Sequence, residues 1–151
     1  MTAETAKTAG NAEITLLFDR YLRSLDDGVF DEKWAGDFFT EDARTRAPIG
    51  EVRGRAAVLE SIRTAMALFR GTVHFGSNYI VEIDPDGNRA TLLGNQLSTH
   101  VLASDGTLFL SGGRTDNELV RTPDGWRLRR ADLHVVWTQG NPPVLPPELA
   151  R

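Results

Sequence analysis

A change of hydrophobic period near residue 72 constrains this chain more than any other feature. From Thr72 to Thr138 apolar and polar residues alternate with period two. Turn clusters break the run at regular intervals: Asp84-Pro85-Asp86-Gly87-Asn88, Ser104-Asp105-Gly106 and Thr122-Pro123-Asp124-Gly125. Alternation bounded by such clusters reads as strands joined by hairpins, since successive strand side chains point to opposite faces and tight turns need Gly, Pro, Asn or Asp. The pattern predicts antiparallel strands at roughly His74–Ile83, Arg89–Ala103, Leu108–Arg121 and Trp126–Thr138. All exceed the usual strand length, so they must bend, and Gly94, Gly112 and Gly113 stand where bulges are expected.

The first half has a helical period instead. Ile14, Leu17, Phe18, Tyr21, Leu22 and Leu25 recur at steps of three and four, which predicts a helix from Ala12 with one buried stripe, closed by Asp26-Asp27-Gly28. A shorter helix starts with Asp31 as N-cap and turns Trp34 and Phe38 inward. Thr40 to Gly50 reads as a loop and short strand that Pro48 keeps out of a sheet interior. A third helix is predicted over 55–70, burying Val58, Leu59, Ile62, Met66 and Phe69, with Gly71 as its terminator. Helices followed by a long meander imply an α+β domain, a curved antiparallel sheet forming a cone closed by about three N-terminal helices around a cavity. Residues 1–11 are expected to be a disordered leader, 12–140 the domain, and the Pro-rich tail 141–151 an extended segment against a surface or a neighbouring subunit.

With 17 basic and 21 acidic residues in 151, the net charge of −4 leaves no basic stripe for phosphates, so nucleic acid is not an expected partner. The absence of cysteine removes disulfides, thiolate nucleophiles and Cys-based metal sites, and makes a cytoplasmic location the default. The opening residues form no signal peptide or membrane span. A phosphate loop, an HExxH pair, a GxSxG elbow and a dinucleotide fingerprint are all missing, so nucleotide and hydride chemistry lose support, and no metal or cofactor is expected.

Histidine is the side chain that titrates near neutrality, so the three histidines are the first candidates for acid/base work. His74 opens the first long strand and reads either as a strand-end residue bonded to a carbonyl or as a base. His100 shares its strand face with Gly94, Gln96 and Ser98, a polar face that is either solvated or the wall of a ligand pocket. His134 lies with Arg130 and Asp132 on a side read as solvent or subunit contact. Asp26 and Asp27 occupy the last turn of the first helix, where the dipole disfavours a carboxylate; they are a plain polar helix end, or one of them orients a histidine. Trp34 and Phe38 are core or cavity wall, and Asn78, Gln96 and Asp116 are candidate substrate contacts.

Three stretches, Leu25-Asp26-Asp27-Gly28-Val29-Phe30-Asp31, Val73-His74-Phe75 and Gln96-Leu97-Ser98-Thr99-His100, make the chain resemble the SnoaL-like branch of the nuclear-transport-factor-2-like superfamily. That group includes polyketide cyclases, scytalone dehydratase and hexachlorocyclohexane dehydrochlorinase. The run from Glu118 to Arg127 resembles the family's strand-turn-strand pattern and bears on fold only. The resemblance implies Asp26, His74 and His100 as catalytic residues: His74 as base, Asp26 as its orienting acid, His100 as donor to the developing enolate or leaving oxygen. Leu25 stands where scytalone dehydratase has a helix-end tyrosine, so that enzyme's own reaction is not implied. The expectation is a cofactor-independent dehydratase, cyclase or isomerase for a small hydrophobic, ring-containing substrate activated by a carbonyl, in a homodimer or homotrimer. The alternative is a non-catalytic binding module of the same fold.

Overall fold

A computed structural model of the chain describes residues 1–149. Helices α1 (Ala3–Asp27) and α2 (Glu32–Phe38) are followed by strands β1 (Phe39–Ala47) and β2 (Gly50–Arg53) and by helix α3 (Arg55–Met66). The meander then runs β3 (Phe69–Ile83), β4 (Arg89–Leu102), β5 (Leu108–Thr122) and β6 (Gly125–Gln139). All six strands form one sheet in the order β2-β1-β6-β5-β4-β3. The four long strands stand where the alternation places them, and the helices close the concave side as expected, α1 lying across β3 and α3 against β1.

Three boundaries differ from expectation. The leader over 3–11 is helical: Thr2 caps α1 by accepting the Thr5 N–H at 3.1 Å, and alanines at 3, 6, 9 and 12 favour helix without an apolar stripe. Gly10 is buried against the Ile83 side chain, which anchors this added length to β3. The Thr40–Gly50 segment is a nine-residue strand inside the sheet, antiparallel to β2 and parallel to β6, with Pro48 confined to the turn after it. The sheet is therefore mixed at this one pairing. Finally, α3 stops at Met66, four residues early, because Phe69 is already paired with Leu102 and Ala103 donates to the Leu68 carbonyl at 2.9 Å. Gly71 accordingly lies in β3 and terminates nothing.

The bends fall in two long ladders. Register shifts occur at Gly112/Gly113 and Glu118/Leu119 between β5 and β6, and at Phe69/Gly71 and Ser77/Ile80 between β3 and β4. Gly94 pairs with Thr115 of β5 and faces the Ser77/Ile80 bulge of β3, where its missing side chain makes room for the Tyr79 ring. Ile14, Phe18 and Leu22 of α1 pack with Phe39, Leu92 and Leu128 into the apolar core at one end of the cone. The other end carries the polar residues.

Candidate active site

The last turn of α1 holds the first acid. Gly28, with φ of 73°, closes the helix in the left-handed region, and its N–H donates to the Ser24 carbonyl at 3.3 Å. Asp26 is thereby directed at the start of β3, where its carboxylate accepts three hydrogen bonds. Thr72 Oγ1 donates to Oδ1 at 2.8 Å, the His74 backbone N–H to Oδ2 at 3.1 Å, and His74 Nδ1 to Oδ1 at 2.7 Å. Three donors offset the unfavourable helix dipole. A carboxylate can only accept, so the proton sits on Nδ1 of His74 and the Nε2 lone pair is left as the basic site. The pair is shielded, with the His74 side chain 5% and the Asp26 side chain 15% exposed.

His100, on β4, meets His74 edge to face at 5.7 Å between ring centres. Its ring lies between those of Phe69 (4.3 Å) and Phe109 (5.6 Å), and its Nδ1 donates to the Phe109 carbonyl at 2.9 Å. Burial pushes the imidazole pKa below its usual value; the Phe109 carbonyl opposes the shift and the nearby His74 adds to it. His100 is therefore neutral with its single N–H committed, and its Nε2 accepts. The expected role as a donor to an enolate requires a protonated ring that this setting disfavours.

Both rings line a cavity of about 780 Å³, within the range of small-molecule sites. Its helix side is apolar, with Phe18, Leu25, Ile62 and Met66, and Phe69 at the start of β3 adjoins it. Its sheet side carries Gln96, Ser98, Ser111, Thr115 and Asn117, and Pro142, Pro143, Leu145 and Leu149 of the tail reach its edge. The tail thus lies along its own chain's cavity; residues 150 and 151 of the expected segment lie outside the described residues. Tyr21 adds a hydroxyl that has no hydrogen-bond partner among the described residues, and burial raises its pKa to about 12. Among the described residues no three His, Cys, Asp or Glu side chains gather as a metal site would need.

Of the expected site residues, Asp26, His74, His100 and Gln96 come together here. The others do not. Trp34 and Phe38 belong to the aromatic cluster beside the cavity, tilted against each other and against Tyr21, with Trp34 also against Phe39 and its indole N–H donating to Ser24 Oγ at 2.8 Å. Asn78 is exposed in the β3 bulge with φ of 57°, because two residues there face one step of β4. Asp116 points to the outer face and pairs with Arg130 at 3.0 Å; its neighbours Thr115 and Asn117 are the inward residues. His134 is exposed as expected, and Asp27 lies at the surface near Arg23. Asn117, fully buried, donates to the Leu92 carbonyl and to Thr115 Oγ1, so this pair is largely satisfied internally. Ser111 escaped the sequence reading, and Thr115 and Asn117 could not be separated from Asp116 by it, because their face depends on the register of β5 with β4. Tyr21 was visible only as part of the α1 stripe.

The profile described as a SnoaL-like domain matches residues 7–132. Among solved structures, a protein of Kribbella flavida shares 27% identity at a TM-score of 0.79, over 88% of this chain and 95% of that one. A putative scytalone dehydratase of Novosphingobium aromaticivorans shares 21% identity, with a TM-score of 0.82 over 95% of this chain and 97% of its own. A type 2 hexachlorocyclohexane dehydrochlorinase shares 19%, with a TM-score of 0.80 over 96% and 99%. No curated protein matches the chain. No helix among the described residues is long and apolar enough to cross a membrane.

Proposed function

Since the chain belongs to the SnoaL-like domain family, we propose that it is a cofactor-independent acid/base enzyme, a dehydratase, cyclase or isomerase for a ring-containing small molecule activated by a carbonyl. The observation that carries this reading is the 2.7 Å contact between Asp26 and His74 on the wall of a largely apolar cavity. His74 Nε2 removes the proton next to the carbonyl, and the C–H electron pair passes into the enolate. Asp26 holds the productive tautomer and stabilises the imidazolium that forms. The enolate oxygen needs a donor, and the Tyr21 hydroxyl on the cavity wall, kept protonated by its raised pKa, supplies one. In an elimination the imidazolium returns its proton to the departing hydroxyl, which leaves as water; in an isomerisation it returns it to another carbon. Neutral His100 accepts a hydrogen bond from a substrate hydroxyl. Such acid/base assistance contributes about 10² to 10⁴ in rate, so cavity positioning supplies the rest.

The test is turnover of cyclic β-hydroxyketones and enones by the wild type, His74→Ala and Asp26→Asn. Loss of turnover in both variants, with circular dichroism unchanged, is expected. Equal turnover in all three removes the mechanism, and tight binding without turnover in the wild type favours the binding-module reading.

The outer sheet face supports self-association. Val73 (49% exposed), Phe75 (53%), Leu93 (43%) and Trp137 (47%) lie on it, while Arg114, Asp116 and Glu118 further along β5 offer both signs of charge. A mixed-sign border around an apolar patch is self-complementary, as a second copy requires. Sedimentation should show a dimer or trimer that Phe75→Asp dissociates; a monomeric wild type contradicts this.

A further inference from the structure

The sheet wall of the cavity contains polar groups that have no partner among the described residues and that the dyad does not use. Ser98 and Ser111 are opposite each other in the β4–β5 ladder and are 3% and 8% exposed. Directly opposed residues on one face have Cβ atoms roughly 5 Å apart, close enough for one ligand atom to touch both. Gln96 Nε2 donates to Ser98 Oγ at 3.1 Å, so the Ser98 hydrogen and the Gln96 carbonyl oxygen have no partner among the described residues. Were the amide turned over, Ser98 would donate to it and the amide N–H groups would be left instead; either orientation leaves one end of Gln96 unpaired. The Ser111 hydroxyl has no partner among the described residues. Opposite Gln96 stands Gly113, whose lack of a side chain leaves the Gln96 amide without a cross-strand neighbour.

These atoms open onto a largely apolar cavity, and a wall built only for stability would carry aliphatic side chains here. We propose that Gln96, Ser98 and Ser111 form a polar subsite that binds a second oxygen function of the ligand, a hydroxyl or carbonyl at the end of the ring away from the reacting carbonyl. The subsite rests on the ring-carbonyl reading above. Ser98 stands directly opposite His74 in the β3–β4 ladder and Ser111 one strand further on, so a flat ring with its activated carbon at His74 extends across Ser98 and brings its far oxygen toward Ser111. The subsite offers a hydroxyl donor from each serine and an amide end that can accept, so it suits a phenolic or alcoholic hydroxyl better than an alkyl group.

The test compares 1-tetralone with 6-hydroxy-1-tetralone, whose second oxygen lies across the ring system from the carbonyl, by titration calorimetry. The wild type should bind the hydroxylated ketone about five- to tenfold more tightly, the worth of one to two hydrogen bonds. Ser98→Ala combined with Ser111→Ala should abolish the preference while leaving 1-tetralone affinity unchanged, and Gln96→Met should reduce it. Equal affinities in the wild type overturn the subsite and leave the ring-carbonyl reading standing. Failure of both ketones to bind overturns both. The wild-type comparison decides the matter even if a variant does not fold.

Discussion

Asp26→Asn is the most informative single change, because the structure specifies what the amide would do. The carboxylate accepts from Thr72 and His74 Nδ1 through one oxygen and from the His74 backbone N–H through the other. With the amide oxygen on the side ring, its NH₂ faces the backbone N–H, donor against donor. With the amide reversed, the backbone bond survives, but the NH₂ now faces Nδ1. His74 can accept that hydrogen only by moving its own proton to Nε2, the atom that must be basic. The second arrangement keeps more hydrogen bonds, so the variant should hold the wrong tautomer. Losing tautomer and countercharge together should lower turnover by about 10³- to 10⁴-fold, or about 4 to 5.5 kcal/mol of barrier. Folding should suffer little: a lost charge-assisted bond costs about 1.5 to 3 kcal/mol, and removing a negative charge from a helix C-terminus returns about 0.3 to 1. Long-range ¹H–¹⁵N correlation spectra of the histidine rings read the tautomer without any substrate. His74 should be protonated at Nδ1 in the wild type and at Nε2 in the variant. A wild-type ring protonated at Nε2, or a variant with the wild-type tautomer, would refute the reasoning.

Other consequences follow from the same contacts. His100 has a folded pKa below its unfolded value, so the unfolded chain binds the extra proton first and stability is lost as pH falls below about 6.5. Melting curves of His100→Phe should show a shallower acid-side decline than the wild type; an identical decline would place the titrating group elsewhere. Gly113→Ala would put a methyl against the His134 carbonyl oxygen in the β5–β6 bulge, where rigid backbone cannot yield, and should cost about 1 to 3 kcal/mol in denaturant unfolding. A change below 0.5 kcal/mol would mean the bulge relaxes freely. Phe18→Ala empties a site 1% exposed in the core and should cost about 3 to 5 kcal/mol. A chain ending at Gly140 lacks the prolines and leucines at the cavity edge and should release 8-anilinonaphthalene-1-sulfonate faster in stopped flow; an unchanged off-rate would show the tail is no barrier.

How much of this was legible in the sequence depends on how local each signal was. Strand limits came within a few residues because alternation and turn chemistry are read from adjacent positions. The N-terminal turns of α1 lacked an apolar stripe, and their docking on β3 through Gly10 and Ile83 spans more than seventy residues. β1 depends on a parallel partner, β6, some ninety residues on, which no local pattern announces. Asp116 and Asn117 differ by one residue, and in a strand one residue exchanges faces; with register shifts on either side, at Gly112/Gly113 and Glu118/Leu119, counting could not assign the frame. Asp26, His74 and His100 were suspected through resemblance, yet their meeting depends on the Gly28 cap and on where β3 begins.

The sheet inverts the usual relation between pattern and burial, and that inversion connects fold to function. On β4 the buried face carries Gln96, Ser98 and His100, while Leu93 is 43% exposed on the opposite face. Hydrophobic transfer alone favours the reverse orientation, and a one-residue slip of register would supply it. The slip is prevented at the other end of the same strand. Ala90 and Leu92 point inward into the core of Phe18, Leu119 and Leu128, so shifting β4 would expose them and drive Arg89 and Thr91 inside. One half of each strand therefore specifies the register, and the other half is held in an orientation it would not choose alone. Polar groups turned inward in this way are free to meet a ligand, and apolar groups turned outward are free to meet another surface.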